Sequence, residues 1–346
     1  MIQSPPLPLI LHCHIPKTAG MTITEGLWRS FPGLHYRHSH PNPLYILSAQ
    51  TLEQLVRISP DLQSISSHHL RSFPLSVSAR PTFLFTFLRK PEDAFISLLK
   101  HAQRRFSVLS PEVRRCWPKD TPQLPLCELA RQYLQLVPPN QDFCPQARFF
   151  CNPKAMARVG LSDGNIYGLD SHEIAQSILQ EFHFVGIVEE MKKSLEVLAD
   201  LLLQRGVRVH FEARMRRNSA PERSSPAWLT SDDETGRRVI EASRSDQRLY
   251  QHFRRQLLAS HQELRKRSWL GFRPAAQDAC KALFNSGLPG TLRSIAQSGQ
   301  LFSKRRKIGE NLDSVSNSEL SRDLLEERAA RNFVDRTRNP VAAGSG

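Results

Sequence analysis

Short apolar runs along the chain alternate with segments whose apolar residues recur at helical spacing. The runs at residues 7–15, 81–88 and 182–188 are continuous, which predicts buried strands. Each run is followed by a segment that has one apolar face when it is drawn as a helix, at 23–31, 91–106 and 189–204. Strands that alternate with helices predict an α/β fold with a central, mostly parallel sheet flanked by helices.

Weaker patterns predict further elements. We expect a weak strand that ends at Ile65 and short helices at 51–59, 126–137 and 171–181. Ser231 and Glu234 form a capping-box pattern, which predicts the start of a helical region that extends to about residue 264. Residues 32–43 and 107–125 are rich in turn-forming residues and are predicted loops, the second with helical fragments.

The character of the sequence changes near residue 260. Residues 1–260 contain all the predicted strands, and residues 261–346 carry scattered apolar residues, Ser/Asn-rich patches and a basic cluster at 304–307. Such a composition supplies little apolar surface for a core. We therefore expect one α/β domain at 1–260 and a basic, partly helical or disordered C-terminal extension at 261–346.

Composition narrows the class of protein. The chain has 346 residues, of which 40% are hydrophobic, so it can form a substantial core. No run approaches the roughly 18 to 20 consecutive apolar residues of a membrane helix. The N-terminal segment has no basic region of the kind that opens a signal peptide. Six cysteines occur without a CxxC pair, which indicates neither a zinc site nor a disulfide framework. Together these features predict a cytoplasmic location.

The net charge points to an anionic partner. Lys and Arg number 47 against 33 Asp and Glu, which gives a formal charge of +14. A nucleic acid, an anionic membrane surface or an anionic ligand in a basic cleft would each fit this excess. The positions of individual cations are needed to separate these classes.

A first candidate site lies between the first predicted strand and its helix. Lys17, Thr18, Gly20 and Thr22 occupy this turn, where backbone N–H groups and the positive end of a helix favour phosphate or sulfate. Lys17 adds a full charge, Gly20 allows a close approach of the backbone, and the two threonines have hydroxyl donors. An ordinary turn with a solvated lysine is the alternative. The order of residues is not that of a Walker A motif, because the lysine comes first.

A second candidate site lies at the end of the aromatic strand. Arg89 ends this strand, and Ser97 follows eight residues later on the next predicted helix. In a phosphate-hydrolysing P-loop protein, an acid at the comparable strand end helps to hold Mg²⁺. A cation at this place suits an anionic group directly, without a metal. The alternative is a surface ion pair of Arg89 with Glu92 or Asp93.

These two sites carry a family resemblance. His14-Ile-Pro-Lys-Thr-Ala-Gly-Met-Thr22 resembles the donor loop of the PAPS-dependent carbohydrate O-sulfotransferases, in the branch of the heparan sulfate 2-O- and 6-O-sulfotransferases and their bacterial relatives. Residues 85–97 resemble the 3′-phosphate segment of the same branch. Weaker similarities follow in the family's order at 65–68, 146–150 and 182–190, so the resemblance covers roughly residues 9 to 255. It implies a P-loop-like fold.

The resemblance implies a role for each matching residue. The 5′-phosphosulfate of the donor, 3′-phosphoadenosine 5′-phosphosulfate (PAPS), would be held by Lys17, Thr18, Ala19, Gly20, Met21 and Thr22. The 3′-phosphate would be held by Arg89 and Ser97. His68 would be the general base that takes the proton of the acceptor hydroxyl, and Lys17 would neutralise charge on the leaving oxygen. No metal is required.

Several residues depart from the family pattern. Met21 replaces a frequent threonine, and Ala147 interrupts the segment at 146–150. Ser67 replaces the glycine before His68, and His69 lies directly next to it. Because adjacent residues of a strand point to opposite faces, only one of the two histidines can face the donor, and the choice stays open between them.

The resemblance implies sulfuryl transfer from PAPS to a hydroxyl of a carbohydrate acceptor, either a glycan or a glycosylated small molecule. A P-loop kinase is one alternative, although it would need a Walker A order and a strand-end carboxylate. A non-catalytic basic module for nucleic acid or another anionic polymer is a second one. The phenylalanines fall mainly in predicted core strands instead of beside the cations, which disfavours direct nucleic-acid binding.

A metal site at His35, His38 and His40 is disfavoured, since no carboxylate or cysteine accompanies these histidines. The acceptor's identity and the oligomeric state are not encoded in recognisable patterns.

Overall fold

The computed structural model describes residues 7–39, 46–70, 77, 80–108, 114, 117–136, 145–150, 171–211, 226–230 and 232–269. Within these ranges the chain forms one five-stranded sheet in which all pairings are parallel. The strands are β1 (Leu9–Cys13), β2 (His35–Arg37), β3 (Ser64–Ser67), β4 (Thr82–Leu88) and β5 (Phe184–Ile187). Their order across the sheet is β2-β3-β1-β4-β5. The prediction of an α/β fold with a central parallel sheet is confirmed.

Helices flank this sheet. They are α1 (Gly20–Ser30), α2 (Ala49–Ile58), α3 (Pro91–Arg105), α4 (Leu126–Leu136), α5 (Pro145–Phe150), α6 (Ser171–Gln180), α7 (Met191–Leu203), α8 (Glu234–Ala242) and α9 (Arg244–Trp269). A short 3₁₀ turn, Phe106–Val108, continues α3. Helix α3 begins as the sequence predicts, with Pro91 at its first position, Glu92 and Asp93 in its first turn and two arginines in its last.

The core is centred on β1 and β4. Residues Leu9, Ile10 and Leu11 of β1 are completely buried, because this strand lies between β3 and β4. Three phenylalanines alternate along β4, at Phe83, Phe85 and Phe87, and all are completely buried. A continuous apolar run of this kind is what a strand covered on both faces requires. The structure therefore confirms these two predicted strands.

Four details differ from the sequence predictions. The predicted loop at 32–43 contains the edge strand β2, and the weak strand continues beyond Ile65 to Ser67. Helix α8 is capped by Asp233, whose carboxylate accepts from the N–H of Gly236 at 3.0 Å, so the predicted capping box at Ser231 is misplaced. The predicted helical region to residue 264 is divided at Ser243 into α8 and α9.

Helix α9 continues across the predicted domain boundary at residue 260, and Leu264 packs against the main core. Residues 270–346, which make up most of the predicted extension, lie outside the described residues. In the described part of the chain, no helix is both long enough and apolar enough to cross a membrane.

Candidate functional site

The carboxyl ends of β1 and β4 lie side by side at one edge of the sheet, and we call the space between the loops that follow them the crevice. The two strands are neighbours, yet the chain leaves β1 toward β2 at one side and leaves β4 toward β5 at the other. In open α/β sheets, ligands bind at such a point, where the connections of adjacent strands diverge. Both motifs predicted from the sequence follow these two strand ends.

A direct contact joins the two motifs. The Arg89 guanidinium donates from Nη1 to the carbonyl oxygen of Lys17, with 3.3 Å between the two atoms. The two residues are far apart in sequence, and the sheet brings them together. The cations expected to bind the two phosphate groups therefore share one site.

The loop after β1 has an unusual backbone conformation. Lys17 and Ala19 have positive φ angles of 68° and 60°, in the region that residues other than glycine seldom adopt. Such conformations cost about 1 to 3 kcal/mol each and are concentrated at functional sites. Thr18 is buried, and its hydroxyl donates to the carbonyl of Ile15 at 2.9 Å. This hydroxyl hydrogen stabilises the loop, so the expectation that it donates to a bound anion does not agree with this geometry.

Helix α1 begins without a side-chain cap. Ala19 occupies the N-cap position, and no acidic residue lies in the first turn. Helices α3 and α7 also begin without a side-chain cap, whereas Ser48 caps α2 and Asp233 caps α8 through side-chain oxygens. The positive end of α1 therefore lies directly beside the Lys17 charge without a carboxylate from its own first turn to neutralise it. Met21 and Thr22, in this first turn, are both partly exposed.

Lys17 lies among other cations. Burial, followed by the charges of Arg104 and Arg89, lowers the pKa of Lys17. Within the described ranges, no carboxylate forms an ion pair with Lys17, so a bound anion would relieve this repulsion. The shift in pKa and the loop geometry both favour an anionic ligand.

The Arg89 side chain also has unused hydrogen-bonding capacity. Its Nε is buried and makes no hydrogen bond, and the nearest carboxylate oxygen, Oε1 of Glu189, lies 4.0 Å away. In the described part of the chain, the ion pair of Arg89 is with Glu189 and not with Glu92 or Asp93, which were the alternative partners. A buried donor without a partner is the arrangement expected where a ligand would complete the site.

Helix α3 contributes two residues that sequence reasoning missed, His101 and Arg104, on the face of the predicted Ser97. Ser97, His101 and Arg104 follow one another at spacings of four and three residues, so they lie on one face of the helix. Arg104 lowers the pKa of Lys17, and burial and then Lys17 lower the pKa of His101. His101 and Arg104 are therefore close enough to Lys17 for their charges to interact. In the sequence these two residues only continue the polar face of Ser97, which has the pattern of a solvated helix face.

His68 lies against the same loop. Its ring stacks on that of His14, with 3.9 Å between centroids, and its Nδ1 is 2.5 Å from the His14 carbonyl oxygen. A carbonyl only accepts, so Nδ1 carries the hydrogen, and in the neutral ring Nε2 then carries the lone pair. That tautomer is the one that can accept a proton at Nε2.

His69 is directed elsewhere. Its ring packs edge-on against His38 at 5.5 Å, and it is buried with only 5% of its surface exposed. Strand β3 ends at Ser67, so both histidines belong to the following turn, where the alternation of a strand no longer applies. The contacts separate them nonetheless, because only the His68 ring stacks on the loop that holds Lys17. Of the other loop histidines, His35 and His38 contact Ser64 and Ser67, and His40 lies outside the described residues.

The buried histidines predict a pH-dependent stability. Burial lowers the pKa of His12 to about 3, and burial with neighbouring histidines lowers that of His14. The unfolded chain takes up these protons near pH 6.5 and the folded protein does not, so stability falls as the pH drops. For His12 the loss approaches about 1.4 kcal/mol per pH unit below pH ~6.

In urea unfolding between pH 7 and 5, His12→Phe should flatten this dependence of stability on pH, and His210→Phe, at an exposed position, should not. An unchanged slope in His12→Phe would contradict the assignment.

The fold and the site together define an α/β protein with a cationic crevice at the carboxyl edge of a parallel sheet. A scan against protein-family models finds no match, and a search among curated proteins finds no similar sequence. Any assignment of function therefore depends on the motifs and on the geometry of this crevice. In the described residues, no group of three or more His, Cys, Asp or Glu side chains is arranged to hold a metal ion.

Proposed function

We propose that the protein is a PAPS-dependent O-sulfotransferase that transfers a sulfuryl group to a hydroxyl of a carbohydrate acceptor. The observation that carries the proposal is the contact between Arg89 and the Lys17 carbonyl, which unites the two phosphate-binding motifs at the crevice. The Arg89 Nε, which makes no hydrogen bond to the described residues, and the end of α1 without a side-chain cap fit a ligand with two separate anionic groups.

In this proposal the loop after β1 binds the 5′-phosphosulfate. Lys17 and the N–H groups at the start of α1, from Ala19 to Met21, supply its positive charge, whereas the Thr22 N–H donates to the Ala19 carbonyl at 2.9 Å. Arg89 binds the 3′-phosphate together with Ser97, which lies on the helix that follows Arg89. Arg104, whose charge lowers the pKa of Lys17, adds positive charge near the loop after β1, and His101, whose own pKa is lowered, adds a neutral ring.

His68 acts as the general base, and Lys17 stabilises the leaving group. Nε2 of His68 accepts the proton as the acceptor oxygen forms its bond to sulfur. The bond between sulfur and the bridging oxygen breaks, and the ammonium of Lys17 neutralises the negative charge that remains on that oxygen. Catalysis then consists of in-line positioning and electrostatic stabilisation, as in phosphoryl transfer.

The strand ends give less support to a P-loop kinase. Arg89 follows β4 and Ser67 ends β3, so neither of the two strands that flank β1 ends in the carboxylate that would hold Mg²⁺. Transfer that continues in EDTA would separate the two activities. A glycan or a glycosylated small molecule is the proposed acceptor, and the loops expected to form its pocket lie partly outside the described residues.

The proposal is tested by binding of adenosine 3′,5′-bisphosphate, the product of the donor. Calorimetry should show binding to the unaltered protein, and Lys17→Ala and Arg89→Ala should each weaken it about 10- to 100-fold, because each removes a charge-assisted hydrogen bond of about 1.5 to 3 kcal/mol. Arg57→Ala is the matched control, since Arg57 is exposed in the last turn of α2. This turn leads to the amino end of β3, and the proposed site lies at the carboxyl ends of the strands. No binding, or equal binding by all the variants, would refute the proposal.

A further inference from the structure

The backbone of Arg89 is held by the side chain of a distant residue. The Arg89 N–H donates to Oε1 of Gln146, and Nε2 of Gln146 donates to the Arg89 carbonyl, each at 2.8 Å. This reciprocal pair resembles a rung of a β ladder, supplied by a side chain just beyond the end of β4. The pair satisfies both the N–H and the carbonyl of Arg89, and it uses both the oxygen and the nitrogen of the Gln146 side-chain amide. The Arg89 backbone, from which the guanidinium extends, is thereby oriented.

Gln146 is itself held in place by α9. The buried carboxylate of Asp246 accepts from the N–H groups of Gln146 at 3.2 Å and of Ala147 at 2.7 Å. Asp246 is 1% exposed and Gln146 is 2% exposed. A buried carboxylate at the start of α5 satisfies donors that a short helix would otherwise leave unpaired.

The next residue of the crevice is held from the same helix. The Lys90 N–H donates to Oε1 of Glu189 at 3.0 Å, and Tyr250 hydrogen-bonds the Glu189 carboxylate. Tyr250 lies one turn after Asp246 on α9, so both point from one face of that helix. Gln247, beside them, donates to Glu92 at the start of α3 at 2.5 Å.

We propose that Gln146 is a positioning residue for Arg89, and that α9 stabilises this arrangement through Asp246 and Tyr250. We call these three residues the α9 clamp. The inference rests on the proposed function, in which Arg89 binds the 3′-phosphate of the donor. Two hydrogen bonds fix the Arg89 backbone at the strand end, so the guanidinium begins from a defined point and loses less conformational entropy when it binds phosphate.

The test compares two ligands that differ by one phosphate. Gln146→Leu should weaken binding of adenosine 3′,5′-bisphosphate about 10-fold, because the Arg89 backbone is no longer fixed and the guanidinium loses more conformational entropy when it binds phosphate. Its affinity for adenosine 5′-phosphate should stay the same, since this ligand has no group for Arg89. In an Arg89→Ala background, Gln146→Leu should cause no further loss, because its effect passes through Arg89. Gln135→Leu, at an exposed position on α4, is the matched control.

Each outcome decides the inference. An equal loss for both ligands, or no loss for the bisphosphate, overturns the positioning role and leaves the proposed function standing. Failure of the unaltered protein to bind the bisphosphate overturns both. If Gln146→Leu does not fold, Gln146→Glu keeps the acceptor for the Arg89 N–H and places an oxygen against the Arg89 carbonyl. A loss confined to the bisphosphate in this variant supports the α9 clamp, and unchanged affinity refutes it.

Discussion

His68→Asn is expected to lower the turnover number of sulfuryl transfer by about 10²- to 10⁴-fold, the usual contribution of a general base. The amide nitrogen of asparagine can take the place of Nδ1 and donate to the His14 carbonyl, as His68 does in the structure. The contact with the loop is then preserved, and only the proton acceptor at Nε2 is lost. Affinity for adenosine 3′,5′-bisphosphate should therefore stay within about twofold, since binding of this ligand depends on Lys17 and Arg89.

The neighbouring histidine provides the control for this experiment. His69→Asn should retain most of the activity, because the His69 ring contacts His38 and not the loop after β1. Added imidazole should restore part of the activity of His68→Ala, where a cavity replaces the ring, and should leave Lys17→Ala unchanged. Should His69→Asn abolish transfer while His68→Asn keeps it, the base is His69 and the interpretation of the stacked His14 and His68 rings is wrong.

The elements that the sequence predicts well are those in which the local pattern and the environment agree. Strand β4 is apolar throughout because both of its faces are buried, and the same run of phenylalanines predicts it from the sequence. The start of α3 at Pro91 likewise follows from local chemistry alone. Strand β2 is not predicted from the sequence, because three residues among turn-forming ones are too few to show the alternation of apolar and polar residues that indicates a strand. It forms by pairing with β3.

The chemistry of the site could be predicted only in part, for a physical reason. Lys17 and Arg89 follow strand ends, and the ends of parallel strands meet at one edge of the sheet, so the sequence predicts that they lie close. Gln146 and Asp246 reach the site through contacts that span 57 and 100 residues, and no local pattern encodes such contacts. His101 and Arg104 belong to a helix face that is polar, which in a sequence is indistinguishable from a solvated face.

Gly20 illustrates how the structure changes the reason for a residue that the sequence identified correctly. The sequence predicts that Gly20 allows the backbone to approach a bound anion. In the structure Gly20 is buried, and a Cβ added to it would overlap the imidazole of His14. Its φ angle is not among the positive ones, so conformational freedom is not the reason for a glycine here. A glycine is required here because the His14 ring approaches the Gly20 backbone closely.

Gly20→Ala is therefore expected to destabilise the protein by about 3 kcal/mol, at the upper end of the usual cost of overpacking. The gain in helix propensity does not offset this cost, because Gly20 is the first residue of α1 and not an interior one. His14 cannot yield easily, because its ring is stacked on that of His68 and only 7% of the residue is exposed. Any movement of the ring would displace His68, so transfer should also fall in the folded fraction. Urea unfolding measures the first effect, and the double variant Gly20→Ala with His14→Ala provides the control. Removal of the ring should make Gly20→Ala nearly neutral in the His14→Ala background, and an undiminished cost there would mean that a different contact requires the glycine.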